Sequence, residues 1–410
     1  MMLRRLTSIL VITLSLALTS CDDMFSEWIG DASENADMSV EWKSLDPFNM
    51  GYAVYTMNGN PGASASSPRL AVYNGTLYAA WVEGEYITIR QFGGNESNPE
   101  WYYINDIYVG YASSLTLFPS NFGLLVAYTA SGSLTVQTID NIYLGSALQY
   151  TYASKASLVE LNGTLYAVWD DNGIIRAKYC KYDPGTSSYV WTQADYGNIS
   201  GSNCSVKSSG GYIYITYING QYLNVHRYNG YEHGSWEQVY YGMNFYTTSP
   251  GTVSYHDIET YEGQPYVTWI EYYYPSGYSY NRINVRTASG QWIDGYHDSD
   301  YDGIPDFNGG LKWGGITSPL ESMDCVNING CLCVFWIEET YDEFSTVFTT
   351  VRASLYNGGW IKIDGNGIYG LASGHPSPSS LNAVAFDDGA ALIYLDASTG
   401  YANVHVMAGK

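Results

Sequence analysis

Short runs in which apolar and polar residues alternate follow one another along most of the chain. Examples are Leu134-Thr135-Val136-Gln137 and Ile283-Asn284-Val285-Arg286. Successive side chains of a β-strand point to opposite faces, so this alternation predicts strands with one buried face. The pattern therefore predicts an all-β chain.

Tight turns separate many of these runs. Asn74-Gly75, Asn162-Gly163 and Asn329-Gly330 each stand between two predicted strands. A two-residue hairpin needs positive φ at both central positions, which Asn and Gly tolerate. Weaker copies of the signal occur at Asn121, Gly210-Gly211, Glu262-Gly263 and Asp388-Gly389. The chain is thus predicted to contain a series of antiparallel hairpins.

A large aromatic residue ends the strand that follows each turn. These seven residues are Trp81, Tyr128, Trp169, Tyr217, Trp269, Trp336 and Tyr394. They lie about 40 to 65 residues apart, and a strand-only repeat of this length is typical of a propeller blade. A predicted fourth strand usually carries another aromatic residue, namely Trp101, Tyr143, Trp191, Trp236, Trp292 or Trp360.

The last repeat, residues 376–410, contains only three predicted strands, and residues 40–45 (VEWKSL) supply a candidate for the fourth. Unpaired sheet edges promote aggregation, so a ring of blades must join its two ends. We predict a seven-bladed β-propeller over residues 39–410, with the last blade closed by the N-terminal strand. The alternative is a set of separate hairpins in a sandwich or a solenoid.

The N-terminus has the pattern of a secretory signal peptide. Residues 1–20 contain Arg4-Arg5 followed by an apolar run. Leu18-Thr19-Ser20-Cys21 resembles the lipobox of bacterial lipoproteins, which implies cleavage before Cys21 and lipid attachment to its thiol. Residues 21–38 are polar and acidic and are expected to form a flexible tether. The resemblance implies a membrane partner and a location at the outer membrane or cell surface; the alternative is plain secretion with a free Cys21.

An acidic loop occupies residues 298–306 (DSDYDGIPD). Calcium prefers six to eight oxygen ligands in a loose shell, and carboxylates at alternate positions can converge in a curled loop. The loop resembles the calcium loops of thrombospondin type 3 and dockerin repeats. The predicted ligands are Asp298, Asp300, Asp302, the Ile304 carbonyl and Asp306. The Glu that an EF-hand has at its twelfth position is replaced by Gly309, so a helix-loop-helix hand is not expected. The alternative is a solvated acidic loop.

A polar residue stands two positions after most of the repeat aromatics. This predicted ring comprises Glu83, Asp171, Asn219, Glu271, Glu338 and Asp396, with Ala130 at the same position of the second repeat. In a propeller these positions reach one face of the disc, where they would bind cations, basic partners or sugar hydroxyls. The alternative is that Asp and Asn merely solvate strand ends and turns.

The third strands carry cationic residues near these aromatics, including Arg90, Lys178, His226, Arg286 and His405. Such combinations suit glycan recognition, although packing between blades is the commoner use of buried tryptophan. Cys331 and Cys333 lie on one face of a predicted strand, and an Asn-Gly turn puts Cys325 on the opposite face. Cys180 and Cys204 come at the junction of two repeats, where a disulfide is conceivable outside the cytoplasm.

The formal net charge of −23 argues against nucleic-acid binding, which requires cations. Neither H-E-x-x-H nor G-x-S-x-G is present. The chain resembles β-propeller lipoproteins as a class. We therefore expect a lipid-anchored cell-envelope binding or scaffold protein that recognises a glycan or an envelope protein on one face. The alternative is a glycan-active hydrolase or lyase with two carboxylates, or an arginine cluster and a tyrosine, in its central channel.

Overall fold

The computed structural model describes residues 40–47, 57–58, 63–144, 153–194, 199–230, 234–244, 251–273, 280–293, 311, 320–341, 347–363, 378–396 and 402–409. All regular elements in these ranges are β-strands, in agreement with the all-β prediction. No helix in this part of the chain has the length and hydrophobicity needed to cross a membrane.

The strands form seven antiparallel sheets, numbered here as blades 1 to 7. Blade 1 contains β2 (Ala65–Tyr73), β3 (Thr76–Glu83), β4 (Tyr86–Phe92) and β5 (Trp101–Tyr108). Blade 2 contains β6 (Ala112–Ser120), β7 (Gly123–Ala130) and β8 (Ser133–Thr138). Blade 3 contains β9 (Ala153–Leu161), β10 (Thr164–Asp171), β11 (Ile174–Asp183), β12 (Ser188–Gln193) and the short β13 (Ile199–Ser200). Blade 4 contains β14 (Ser202–Ser209), β15 (Tyr212–Asn219), β16 (Tyr222–Tyr228) and β17 (Glu237–Tyr240).

Blade 5 contains β18 (Thr252–Tyr261), β19 (Gln264–Tyr273) and β20 (Tyr280–Thr287). Blade 6 contains β21 (Leu320–Ile328), β22 (Cys331–Tyr341), β23 (Val347–Tyr356) and β24 (Trp360–Lys362). Blade 7 contains β25 (Pro378–Phe386), β26 (Gly389–Asp396), β27 (Asn403–Gly409) and the N-terminal β1 (Trp42–Ser44).

The first strand of each blade contacts the first strand of the next, and β25 of blade 7 contacts β2 of blade 1. The blades therefore form a closed ring around a central channel, and the predicted seven-bladed propeller is confirmed. Because successive strands run antiparallel, the turn between second and third strands lies on the same face as the connection to the next blade. We call this the upper face, and we call the face with the first hairpin of each blade the lower face.

The N-terminal strand closes the last blade as predicted. Trp42 pairs with Gly409, and Ser44 pairs with Met407, so β1 is the fourth strand of blade 7. Asp46 follows β1 directly, and its carboxylate accepts a 2.8 Å hydrogen bond from the Val406 amide. The two ends of the chain are therefore joined through one sheet.

The Asn-Gly hairpins have the backbone geometry that the sequence predicts. Asn162 and Gly163 have φ of 51° and 78°, and they join Leu161 to its cross-strand partner Thr164. Asn329-Gly330 forms the same turn in blade 6, where Ile328 faces Cys331. These turns fix the register of both hairpins and so determine which side chains each blade buries.

The seven repeat aromatics all lie on second strands, and each is less than 9% exposed. They fill hydrophobic clusters at the junctions between blades; for example, Trp81 packs with Leu77, Ile393 and Val406 between blades 7 and 1. Burial of this kind supplies most of the stabilisation that holds separate sheets together.

Tryptophans on the fourth strands donate hydrogen bonds to the preceding blade. The indole of Trp101 donates to the Leu45 carbonyl at 2.7 Å, and that of Trp360 donates to the Ile293 carbonyl at 2.6 Å. Trp191 donates to the Leu144 carbonyl in the same way. Trp42 of β1 donates to the Ile363 carbonyl at 3.2 Å, so the N-terminal strand has the same role as an ordinary fourth strand. At these positions the packing interpretation of the tryptophans holds.

The described cysteines, Cys180, Cys204, Cys325, Cys331 and Cys333, are all free and buried. Cys325 pairs with Val334 and contacts the cluster around Leu332 and Trp336, whereas Cys331 and Cys333 contact the opposite cluster. The predicted separation of Cys325 from the other two is therefore confirmed.

Candidate functional site

The predicted ring of polar residues lies where second strands end at the upper face, but its members differ in burial. Glu271, Glu338 and Asp396 are at most 2% exposed. Glu83 and Asp171 are half-buried, and Asn219 is exposed. Three of the six side chains in the ring are therefore accessible to a ligand, and the other three are buried inside the protein.

The buried glutamates anchor the repeat tryptophans. A residue and its second neighbour lie on the same face of a strand, so each carboxylate can reach the indole two residues earlier. Trp269 donates to Glu271 at 3.0 Å, and Trp336 donates to Glu338 at 3.0 Å. Trp81 donates to Glu83 at 2.9 Å in the same geometry. A buried indole N–H requires an acceptor, and this Trp-x-Glu pair provides one.

Two of the accessible ring members begin turns of the same sequence pattern. Glu83-Gly84-Glu85-Tyr86 joins β3 to β4, and Asn219-Gly220-Gln221-Tyr222 joins β15 to β16. Gly84 has φ of 62° and Gly220 has φ of 64°, a conformation that favours glycine in both turns. Each turn thus presents a polar side chain, and three residues later a tyrosine, at the upper face.

A second tyrosine packs beside each of these turns. Tyr86 and Tyr108 have ring centroids 5.5 Å apart and meet edge to face. Tyr222 and Tyr241 have ring centroids 5.5 Å apart with an interplanar angle of 31°. Tyr108 ends the fourth strand β5, and Tyr241 directly follows the fourth strand β17, so the two pairs are built alike in blades 1 and 4. We call each polar residue with its tyrosine pair a tyrosine turn.

Three of the four tyrosines in the tyrosine turns are exposed to solvent, and Tyr222 is half-buried. Tyr108 is 65% exposed and Tyr241 is 61% exposed, and the neighbouring Tyr111 is 81% exposed. Exposed aromatic groups that cluster at one place usually mark a binding surface. These tyrosines are not among the site residues predicted from the sequence, although the polar-Gly-polar-Tyr pattern occurs in both turns.

The mouth of the channel has a feature that recurs in every blade. In each blade the pairing of the first and second strands shifts register near the upper end of the first strand. Ser67, Asn203 and Ser380 have left-handed backbones at these shifts, with φ of 51°, 53° and 52°. Such β-bulges often re-aim side chains at the rim of a barrel. Adjacent serines mark several of them in the sequence, as at Ser66-Ser67, Ser113-Ser114 and Ser379-Ser380.

Deeper in the channel, charged side chains connect the first strands. The Lys207 amine lies 2.7 Å from the Glu259 carboxylate, joining blades 4 and 5. Burial alone lowers the pKa of Lys207, but the Glu259 charge and hydrogen bond raise it. The Asp257 carboxylate is 3.5 Å from the Cys325 amide, joining blades 5 and 6.

Asp324 joins blades 6 and 7. Its carboxylate accepts hydrogen bonds from the Ala383 amide at 2.6 Å, from the Asn382 side chain at 2.7 Å and from the Cys325 amide at 3.1 Å. Burial, with a further contribution from the neighbouring Asp257, raises the pKa of Asp324 well above its usual range. Because both carboxylate oxygens of Asp324 accept hydrogen bonds, its main role is to connect blades 6 and 7.

The remaining predicted site residues fall outside the described residues. These are Asp298, Asp300, Asp302, Ile304 and Asp306 of the acidic loop, and Cys21 of the leader. Within the described part of the chain, no three or more His, Cys, Asp and Glu side chains are grouped so that they could hold a metal ion.

No protein-family model matches the chain, and neither does any curated protein. Among solved structures it is similar to the polysaccharide lyase Uly1, with 10% identity over 90% of this chain and 96% of that chain and a TM-score of 0.45. It is similar to the β-propeller domain of the Trilobed protease from Pyrococcus furiosus, with 10% identity over 84% of this chain and 95% of that chain and a TM-score of 0.42. Similarity to Trypanosoma rangeli sialidase has 10% identity over 91% of this chain and 58% of that chain, with a TM-score of 0.41.

Similarities this distant do not identify a function. The class of protein is defined instead by the chain's own strand order, which makes it a seven-bladed β-propeller with two exposed tyrosine turns on its upper face.

Proposed function

We propose that this chain is a glycan-binding propeller of the bacterial cell envelope and that its tyrosine turns hold the ligand. The observation that supports this most is the repetition of the same exposed turn in blades 1 and 4. A sugar ring has one face rich in C–H groups and a rim of hydroxyls. The electron-rich face of tyrosine suits the C–H groups, and the carboxylate of Glu83 or the amide of Asn219 suits the hydroxyls.

The charge of the chain favours a neutral glycan. The full chain has 40 acidic and 17 basic Lys and Arg residues, and Glu83 and Glu85 lie within one tyrosine turn. Like charges repel across the surface of such a protein, and salt screens that repulsion only beyond about 10 Å at moderate ionic strength. Glycans that carry carboxylate or sulfate groups are therefore disfavoured, whereas hydroxyl groups meet no such penalty.

A glycan array followed by solution titration tests the proposal. The intact protein is expected to bind a neutral glycan. The fourfold variant in which alanine replaces Tyr86, Tyr108, Tyr222 and Tyr241, so that both tyrosine turns are removed, is expected to lose about tenfold or more in affinity. Truncating an aromatic side chain that anchors a ligand typically costs more than about 1 kcal/mol. Tyr182→Ala is the matched control, because Tyr182 is 53% exposed and pairs with Tyr189 at 5.5 Å but lies toward the lower face. Equal losses in the fourfold variant and the control would contradict the proposal, as would an array with no signal. Envelope proteins recovered by crosslinking would then favour the scaffold alternative.

A melting scan with and without chelator tests calcium binding. We propose that residues 298–306 bind one calcium ion, because four carboxylates within nine residues repel one another without a cation. Asp298, Asp300, Asp302, the Ile304 carbonyl and Asp306 would supply the oxygen ligands. Chelator should lower the melting midpoint, because an ion that binds only the folded state stabilises it. An unchanged midpoint would count against a bound ion.

We also propose that lipid on Cys21 tethers the chain to the membrane. The N-terminal strand enters blade 7 from the lower face, since Trp42 pairs with Gly409 at the lower end of β27. A tether attached there would leave the upper face directed away from the bilayer. The variant Cys21→Ser should move the chain from the detergent phase to the aqueous phase on phase partition. Retention in the detergent phase would argue against the anchor.

One observation favours the alternative of a glycan-active enzyme. Asp257 and Asp324 lie close together in the channel, and the raised pKa of Asp324 is a property of general acids. Release of reducing or unsaturated ends from the glycans that bind, lost in the variant Asp257→Asn, would support catalysis. If prolonged incubation released no new glycan ends, the protein would bind the glycan without cleaving it.

A further inference from the structure

The two tyrosine turns can hold either two separate ligands or one ligand that reaches both. The tyrosine turns belong to blades 1 and 4, which are three places apart in a closed ring of seven. Such blades lie nearly opposite each other across the channel. Both turns are on the upper face, so one ligand can approach both from the same side.

The distance between the turns follows from strand spacing. Neighbouring strands lie about 4.8 Å apart, so a third or fourth strand is about 10–14 Å from the first strand that lines the channel. With the width of the channel added, two turns on opposite sides are on the order of 30 Å apart. A single sugar or a disaccharide cannot touch both turns at once. A chain of several sugars in an extended conformation can.

The described residues at the channel mouth include exposed polar side chains. Ser66 and Ser113 are exposed at the channel mouth, and Tyr255, on the first strand of blade 5, is 41% exposed there. The repeated bulges put small hydroxyl-bearing residues at this rim, so a polyhydroxylated chain would find hydrogen-bonding groups along its path.

Resting on the function proposed above, we propose that the ligand is an extended neutral polysaccharide that crosses the channel mouth and engages both tyrosine turns together. Once one turn is occupied, the second meets the same chain at a high effective concentration. Bivalent engagement of this kind strengthens binding by about 10²–10⁴-fold over one contact, provided that the ligand spans both sites. The specificity of the protein would then be for polymers over their short fragments.

Binding is compared for a soluble β-glucan, an α-mannan and dextran, each offered as polymer and as a size series of its oligosaccharides. The polymer should bind about 100-fold more tightly than a tetrasaccharide of the same glycan. Along the size series, affinity should rise in a step when the extended chain reaches about 30 Å.

Variants of each turn give the second readout. Tyr86→Ala/Tyr108→Ala alone, or Tyr222→Ala/Tyr241→Ala alone, should reduce polymer affinity to the level of the tetrasaccharide, while tetrasaccharide affinity changes by about twofold at most because one intact turn remains. Tyr108→Phe and Tyr241→Phe keep the rings and should retain polymer binding, which guards against variants that fail to fold. Equal affinity for polymer and tetrasaccharide would overturn the bivalent inference and leave glycan binding intact. The same conclusion would follow if only one of the two double variants lost affinity for the polymer. If none of the three glycans binds in any form while the protein is folded, the proposed function and this inference fail together.

Discussion

Replacing Asp46 with alanine is expected to lower the free energy of unfolding by about 3–5 kcal/mol, the usual cost of removing one partner of a buried ion pair. Asp46 is 3% exposed, and its carboxylate lies 2.8 Å from Nδ1 of His405, which is also 3% exposed. The other carboxylate oxygen accepts the Val406 amide at 2.8 Å. The variant leaves the buried His405 ring and an amide of β27 without this partner at the point where the ring of blades closes. Urea denaturation monitored by tryptophan fluorescence measures the loss.

Two controls make this result specific to the closure. Glu237→Ala removes the Arg227–Glu237 pair, whose 2.8 Å separation is similar but whose Glu side chain is 62% exposed. Solvent screens this pair, so its loss should lower the free energy of unfolding much less. Equal losses in the two variants would contradict the role assigned to Asp46.

The pH dependence supplies the second control. Burial alone lowers the pKa of His405, but the Asp46 carboxylate raises it, and the net direction is upward. A group with a raised folded pKa contributes its full stability below its unfolded value, about 6.5, and loses it as pH rises through the folded value. The wild type should therefore lose stability as pH rises above about 6.5, and Asp46→Ala should lack that component.

Replacing Glu338 with alanine is expected to cost a similar amount, about 3–5 kcal/mol. Glu338 is fully buried and accepts from Trp336 at 3.0 Å and from the Arg352 guanidinium at 2.9 Å. Arg352 is only 9% exposed, so the variant removes a carboxylate that pairs with a buried cation. Thermal and urea unfolding of the two proteins measure the difference.

Blade 1 provides the matched control for Glu338. Glu83 accepts from Trp81 at 2.9 Å in the same Trp-x-Glu geometry, but it is half-buried. Glu83→Ala should cost about 1 kcal/mol, the typical net value of one hydrogen bond. Glu338→Gln keeps an acceptor for Trp336 and should fall between the two alanine variants. If Glu338→Ala proved as mild as Glu83→Ala, the buried ion pair would not be the stabilising element we describe.

Most of the fold could be predicted because its signals are local. Alternating strands, Asn-Gly turns and one aromatic residue per repeat depend on neighbouring residues only. The closure by β1 followed from a missing fourth strand and a single candidate segment at residues 40–45. The bulges at the channel mouth could not be predicted, because they depend on how two strands pair.

The candidate site could be predicted only in part. The offset of two residues from each aromatic correctly placed the ring at the upper strand ends. It could not distinguish Glu338, which the neighbouring Arg352 and Trp336 enclose, from the exposed Asn219, because burial depends on packing between blades. The tyrosine turns were missed for a different reason. Tyr86 and Tyr222 repeat in sequence, but their partners Tyr108 and Tyr241 approach them only after the third and fourth strands pair.

Hydrogen–deuterium exchange with and without the best-binding of the three polysaccharides shows which face of the propeller holds the ligand. The ligand should slow exchange at the upper-face turns, residues 84–86 and 220–222, and at the channel mouth between them. Exchange at the lower-face hairpins 74–75 and 162–163 should not change. Protection of those lower-face hairpins, with the tyrosine turns unchanged, would rule out glycan binding at the upper face.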